Sequence, residues 1–319
     1  MKVLMLVIDK QRIQLESLYE GIAKNCTLDL RRLSSEEQSN LASYFKKHVC
    51  AESYDRIILF LRFKKEIRQV AFIRTIPNLV ILEHDAWQNY YSQSKYKGKF
   101  SRHYSALPWA RVVVSGATLA ERLSREGVDA KFVPKGYNQE LLRNMNQGRP
   151  IKLGFVGNIE HDTYRKRKEL LQQAIDSLGL IIKKTNSGED YLIALNKIRF
   201  FISADIGFSE NMVKNFEAMA CGCLLIAYNQ GDKENSALGF KDMENVVLYD
   251  DFEMLEAKIN LLNNNEKLAD SIAAAGQLLA ESVFPFDVIG KRVVDETTPQ
   301  LRIQGPTSVV DYLRYFFRR

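Results

Sequence analysis

The sequence has no long apolar run. In a chain of 319 residues, no apolar stretch approaches the roughly 20 positions that a membrane-spanning helix requires. The apolar start at residues 3–8 stops at Asp9 without a small-residue cleavage site, which favours a first buried strand over a secretory signal. We therefore expect a cytoplasmic protein.

Metal-binding spacings are also missing. The four cysteines stand at positions 26, 50, 221 and 223, the four histidines at 48, 84, 103 and 161, and neither set shows the paired spacing of a zinc site. There is no Asp-x-Asp motif, and no zinc-finger, RNA-recognition or helix-turn-helix pattern. These absences predict no metal, no resident cofactor and no nucleic-acid partner.

The charge balance is mildly basic. The chain has 45 Lys and Arg against 39 Asp and Glu, a formal net charge of +6. This excess favours anionic partners such as nucleotide diphosphates, acidic glycans or the inner face of a membrane. The length predicts two domains, at about 150 residues per domain.

Short apolar, β-branched runs alternate with helical stretches, and this alternation predicts βαβ units with parallel sheets. The series restarts near residue 152, after a polar, turn-forming segment at 144–150. We therefore expect domains at 1–145 and 151–295, each doubly wound. The predicted strands are residues 3–8, 56–61, 79–83, 111–115, 131–134, 152–156, 180–184, 199–203, 224–228 and 245–249.

The most informative segment is residues 208–226, which predicts a polar turn, a short helix, a glycine that ends the helix, and then a strand. The helix would begin near Asn211 and Met212, and the N–H groups at its start could bind an anion. Lys214 and Glu217 lie three apart and so share a helical face. A cation beside a carboxylate suits a diphosphate next to a ribose. The alternative is a buried helix–strand unit with a surface Lys and Glu.

This segment, with Glu217 followed by Ala-Met-Ala-Cys-Gly, resembles the donor site of the GT-B-type glycosyltransferases, and of the glycosyl transferase group 1 families in particular. The resemblance implies two Rossmann-like domains facing a cleft. It implies that Glu217 holds the donor ribose and Lys214 meets the diphosphate. Many members carry a second Glu eight residues earlier; here that position is Ser209, and Glu210 is one position away.

Three further places are candidates for donor binding. Gly157 and Asn158 follow a strand, and a glycine there lets a ligand approach the backbone. Arg165 or Lys166, in a run of four cations, would meet the donor phosphates by the same resemblance; a solvated basic helix is the alternative. Gly188 precedes a helix, where it admits a base or ribose or simply belongs to a capped turn.

In the first half, Glu83, His84 and Asp85 leave the end of a predicted strand. Transfer of a sugar with inversion needs a base for the acceptor hydroxyl, and Asp, Glu or His suits that role. Asp85 is the first candidate and His84 the second. Alternatively, these residues cap the following helix.

The next segment mixes aromatic and basic residues. Exposed aromatics among cations can stack on sugar rings or lie at a membrane interface, and an ordinary surface loop is the alternative. This segment is the predicted acceptor or membrane-facing surface. Its aromatic residues are Trp87, Tyr90, Tyr91, Tyr96, Phe100 and Tyr104, and its lysines are Lys95, Lys97 and Lys99.

The chain ends in a predicted helix at 300–319 that packs back on the first domain or touches an anionic membrane. Together these patterns predict a metal-independent glycosyltransferase that moves a sugar from a nucleotide-diphosphate donor to a hydroxyl of a glycan or lipid-linked acceptor, in the cytoplasm or at the inner membrane face. The alternatives are a sugar-nucleotide epimerase of the same fold and a non-catalytic module that binds a nucleotide sugar or an anionic glycan.

Overall fold

A computed structural model describes residues 1–10, 15–159 and 165–305. Its contacts divide the chain into two compact units. Unit 1 contains Met1–Val133 and the chain from Gly290 to the last described residue, and unit 2 contains Pro134–Ile289. The division thus falls before the predicted first boundary at 145.

Unit 1 is built on a six-stranded sheet with the order β2-β1-β3-β4-β5-β6, in which every neighbouring pair is parallel. The strands β1 and β3–β5 are apolar almost throughout because helices cover both faces of such a sheet. The strands are β1 (Lys2–Ile8), β2 (Thr27–Leu33), β3 (Arg56–Phe60), β4 (Leu79–Glu83), β5 (Arg111–Val114) and β6 (Asp129–Phe132). The helices are α1 (Glu16–Ala23), α2 (Leu41–His48), α3 (Phe63–Glu66), α4 (Val70–Ile73), α5 (Lys99–Ser105) and α6 (Ala117–Arg125).

Unit 2 has a five-stranded parallel sheet with the order β11-β10-β9-β7-β8. Its strands are β7 (Ile151–Val156), β8 (Ile181–Lys183), β9 (Ile198–Ser203), β10 (Leu224–Tyr228) and β11 (Val247–Tyr249). Its helices are α7 (Arg165–Leu178), α8 (Glu189–Asn196), α9 (Val213–Ala220), α10 (Asp232–Leu238), α11 (Phe252–Asn263), α12 (Glu266–Val283) and α13 (Phe286–Thr297), the last of which begins in unit 2 and ends in unit 1.

The structure confirms two doubly wound α/β units and a strand at each of the ten predicted places. It adds β2, which the sequence analysis did not predict. This strand lies at the edge of the sheet and is largely half-buried, with Asp29, Arg31 and Arg32 among its residues. An edge strand needs fewer apolar residues than a central one, so its sequence resembles a polar loop.

After α13 the chain runs along the amino edge of the unit 1 sheet. Arg111, the first residue of β5, donates hydrogen bonds to the carbonyl oxygens of Glu296, Pro299 and Gln300 at 2.9–3.1 Å. Arg56, the first residue of β3, donates to the carbonyl of Thr297 at 2.8 Å. Most of the helix predicted at 300–319 lies outside the described residues, which end at 305.

Candidate active site

The chain order of unit 2 reverses direction between β7 and β9. From β7 the chain moves outward to β8, then returns to the other side of β7 with β9 and continues to β10 and β11. Open parallel sheets bind ligands at such a switch point, beyond the carboxyl ends of the strands. Gly157 follows β7 and Asp205 follows β9, so the switch point in unit 2 is flanked by these two residues.

Asp205 is a buried hub of hydrogen bonds at this point. Its Oδ1 accepts from Arg167 Nη2 at 2.5 Å, and its Oδ2 accepts from Ser203 Oγ at 3.0 Å and from the Met212 N–H at 3.1 Å. Arg167 and Asp205 are both buried. Their pairing keeps a carboxylate at the start of α9, where the positive end of the helix dipole stabilises it.

The basic run at the start of α7 divides between solvent and interior. Arg165 and Lys166, the predicted phosphate residues, are exposed, and Arg165 lies 3.5 Å from the Glu169 carboxylate. The inward cation is Arg167, which the sequence analysis did not select. A signal was available, because Arg167, Leu171 and Ala174 are the buried residues of α7 and follow the helical spacing i, i+4, i+7.

Lys214 reaches from α9 to the end of β7. Its Nζ donates to the Val156 carbonyl oxygen at 2.5 Å and lies 5.3 Å from the centre of the Phe155 ring. A Cβ on Gly157 would collide with this ammonium group, and the φ of Gly157, +155°, also favours glycine. The structure therefore brings together Lys214 and Gly157, which were predicted separately. Asn158, the next residue, is exposed.

Lys214 and Glu217 occupy neighbouring positions on α9 and share one electrostatic environment. Burial lowers the pKa of Lys214, and the nearby Glu217 carboxylate opposes this shift. Burial likewise raises the pKa of Glu217, while the Tyr191 hydroxyl and the Lys214 ammonium oppose that shift. Tyr191, on α8, donates its hydroxyl to Glu217 Oε2 at 2.6 Å. The result is a cation and a carboxylate, both partly desolvated, at the switch point.

The residues before α9 are held in the interior of unit 2. Glu210 is fully buried and its Oε1 lies 2.7 Å from the Lys135 ammonium. Asn211 is buried and its Oδ1 accepts from Asn215 Nδ2 at 2.7 Å, while the Met212 N–H is taken by Asp205. The N–H group expected to receive a phosphate at Met212 is thus already hydrogen-bonded to a carboxylate.

Gly188 precedes α8 with a φ of +92°, a conformation that residues with a side chain rarely adopt. A Cβ at this position would meet no atom within 4 Å among the described residues. Its backbone conformation, and not crowding by another group, therefore requires a glycine in this structure.

In unit 1, the three ionisable residues after β4 differ in exposure. Glu83 is buried and accepts the Asp85 N–H at 2.7 Å. His84 is half-buried, with its ring edge-on to Phe60 at 5.0 Å between centres. Asp85 is exposed, and its side chain does not cap the helical turn Ala86–Asn89 that follows. The capping alternative for Asp85 is therefore wrong.

The predicted exposed aromatic surface is wrong in four of its six rings. Trp87, Tyr91, Phe100 and Tyr104 are buried and pack against other rings. The centres of the Phe63 and Phe100 rings, for example, lie 3.5 Å apart, and those of Trp87 and Tyr91 lie 5.6 Å apart. The cations of the segment, Lys95, Lys97 and Lys99, are exposed. Tyr90 is half-buried and donates its hydroxyl to Glu126 at 2.9 Å. What remains at the surface is a basic patch.

Among residues 1–10, 15–159 and 165–305, no group of three or more His, Cys, Asp or Glu side chains is arranged to hold a metal ion. Within the same part of the chain, no helix has the length and apolar character needed to cross a membrane.

Solved structures share this fold at low sequence identity. HepE from Anabaena, in complex with UDP and glucose, matches with a TM-score of 0.67 at 14% identity, over 94% of this chain and 100% of that one. Sucrose-phosphate synthase from Thermosynechococcus elongatus matches with a TM-score of 0.65 at 11% identity, over 92% and 97%. A glycosyltransferase from Rickettsia africae matches with a TM-score of 0.59 at 13% identity, over 93% and 97%.

Residues 139–284, nearly the whole of unit 2, match the family model described as glycosyl transferase-like. The chain has the fold of the GT-B glycosyltransferases. No curated protein matches its sequence. The family match spans β7 to α12 and so includes the switch point with Lys214 and Glu217.

Proposed function

We propose that this protein is a glycosyltransferase that moves a sugar from a nucleotide-diphosphate donor to a hydroxyl group of a glycan or glycolipid, without a metal ion. The observation that supports this proposal is the hydrogen bond from Lys214 Nζ to the Val156 carbonyl oxygen at the carboxyl end of β7, with Glu217 three positions later on the same helix. UDP and glucose are bound by HepE, which shares the fold.

In this proposal Lys214 and Glu217 bind different parts of the donor. Glu217 accepts hydrogen bonds from the ribose hydroxyls, and Lys214 faces the diphosphate. Negative charge builds on the leaving phosphate as the bond to the sugar breaks, and a fixed cation in a desolvated site stabilises that charge. Gly157, which has no side chain, leaves room for the Lys214 ammonium at the end of β7. Arg165 and Lys166, exposed at the start of α7, remain candidates for additional phosphate contacts.

The residues that we propose for the acceptor reaction lie in unit 1. Asp85 is exposed at the end of β4, which suits a base that takes the proton of an acceptor hydroxyl as it attacks the sugar. His84 is the second candidate. The exposed Lys95, Lys97 and Lys99 suit an anionic acceptor or the phosphates of a membrane surface.

Release of free nucleoside diphosphate from a panel of nucleotide sugars, with and without glycan acceptors, tests this function. Acceptor-dependent release is expected. Interconversion of the donors would indicate an epimerase, and thermal stabilisation without turnover would indicate a binding module.

The Lys214→Met variant should bind the active donor about 10- to 100-fold more weakly, because it loses a hydrogen-bonding charge on the phosphates. Lys267→Met, at an exposed position of α12, is the matched control and should bind like the unchanged protein. Equal affinity of the two variants, measured by titration calorimetry, would remove Lys214 from the donor site.

Asp85→Asn should lower turnover at least about 100-fold, the usual contribution of a general base, with little change in donor affinity. Glu20→Gln, on the exposed side of α1, is the control. Undiminished turnover of Asp85→Asn would reject Asp85 as the base and leave the donor site unaffected.

A further inference from the structure

Tyr191 contacts the proposed ribose carboxylate from a different helix. Its hydroxyl donates to Glu217 Oε2 at 2.6 Å, across 26 positions of sequence. Tyr191 lies in the first turn of α8, directly after Gly188, whose positive φ turns the chain into the helix.

The hydrogen bond occupies one oxygen of the carboxylate and leaves the other available. Among the described residues, the hydrogen bond that acts on the Glu217 carboxylate comes from Tyr191 and ends on Oε2, not on Oε1. An ionised carboxylate only accepts hydrogen bonds, whereas the two adjacent hydroxyls of a ribose can both donate. A carboxylate fixed through Oε2 presents Oε1 in one orientation, and the ligand then need not order that side chain on binding.

We propose that Tyr191 is a positioning residue, which orients the Glu217 carboxylate to receive the ribose hydroxyls of the nucleotide donor. This inference rests on the proposed function. It assigns to Tyr191 no contact with the sugar that is transferred and no proton transfer.

The electrostatics of the pair agree with this role. Burial raises the pKa of Glu217, and the Tyr191 hydroxyl, as a neutral donor, favours the ionised form without adding charge. The pKa of Tyr191 is itself raised well above its ordinary value, first by burial and then by Glu217. Tyr191 therefore remains a protonated donor at physiological pH.

The test compares a ribonucleotide with a nucleotide that lacks the ribose hydroxyls. UDP, GDP, ADP and CDP are titrated against the full chain by calorimetry, and the one that binds most tightly is paired with its 2′,3′-dideoxy form. Tyr191→Phe should weaken binding of the ribonucleotide about ten-fold, since a hydrogen bond to a charged group is lost, and binding of the dideoxy form by less than about two-fold.

A double-variant cycle shows whether Tyr191 acts through Glu217. If it does, Tyr191→Phe combined with Glu217→Gln should bind the ribonucleotide no more weakly than Glu217→Gln alone. Tyr249→Phe is the matched control: it removes a buried hydroxyl that donates to the Ser203 carbonyl at 2.8 Å in the same unit, without contacting Glu217. This control should leave the ratio of ribose to dideoxy affinities unchanged.

The failures can be told apart. Equal losses for the two nucleotides, or additive losses in the cycle, would reduce Tyr191 to a structural residue and overturn the inference. A chain that prefers the ribonucleotide, but whose preference Tyr191→Phe does not alter, would overturn the inference alone. A chain that binds none of the four diphosphates would overturn the proposed function and this inference with it.

Discussion

Each unit has an arginine–aspartate ion pair that is largely buried, and the two pairs lie at opposite edges of their sheets. In unit 1, Arg111 and Asp129 are the first residues of β5 and β6 and pair at 2.9 Å, at the amino edge. In unit 2, Asp205 follows β9 and pairs with Arg167 at the carboxyl edge. The carboxyl edge of an open parallel sheet is where ligands bind. The burial of an ion pair therefore does not by itself identify a ligand-binding site. The edge of the sheet at which the pair lies does.

The partners of the two arginines show the same difference. The remaining donors of Arg111 bind the backbone carbonyls of Glu296, Pro299 and Gln300, so Arg111 holds the segment that follows α13 at the amino edge of the unit 1 sheet. Arg167 positions Asp205, whose carboxylate also accepts the first N–H of the turn into α9. Since α9 carries Lys214 and Glu217, the unit 2 pair supports the candidate donor site.

Replacing each arginine is the strongest way to break this comparison. Arg167→Ala leaves the Asp205 carboxylate buried and without its ion-pair partner, which should lower the free energy of unfolding by about 3 kcal/mol and weaken nucleoside diphosphate binding. Arg111→Ala should also destabilise the protein, but nucleotide affinity should remain unchanged. Urea denaturation and calorimetry measure the two effects. A loss of affinity in both variants would mean that the two edges do not differ in function.

A smaller effect is expected at Gly157. In the Gly157→Ala variant the added methyl group meets the Lys214 ammonium and the backbone is strained, so nucleoside diphosphate affinity should fall about ten-fold. Gly148→Ala is the control, because a Cβ there meets no atom within 4 Å. If calorimetry finds the same nucleotide affinity for the two alanine variants, the position of the Lys214 ammonium at the end of β7 does not matter for binding.

The smallest effect is a pH dependence at Glu217. Its pKa is raised by burial, so the ionised form costs stability at neutral pH, and the cost disappears once the pH falls below the ordinary range of a glutamic acid. Glu217→Gln should therefore be more stable than the unchanged protein at pH 7 and equally stable at about pH 4. Nucleotide affinity should show the opposite trend and fall on acidification. Glu253→Gln, at an exposed position, is the control.

Much of the fold could be predicted from local patterns. The strands β4 and β10 begin and end where the apolar runs do, and the restart near residue 152 anticipates β7. The edge strand β2 was missed because half of it faces solvent and its polar residues resemble a loop. Trp87 and Tyr91 were assigned to the surface because neighbouring lysines suggested exposure, whereas the turns that follow β4 direct these rings into the interior.

The sequence by itself determined the α/β alternation and the three-residue spacing that puts Lys214 beside Glu217, because both depend on the periodicity of one strand or helix. Only the tertiary structure decided that Arg167, and not Arg165 or Lys166, turns inward, that Gly157 lies against Lys214, and that Tyr191 reaches Glu217. Each of these pairs joins separate elements, and which elements meet depends on strand order and packing in three dimensions, which no local spacing contains.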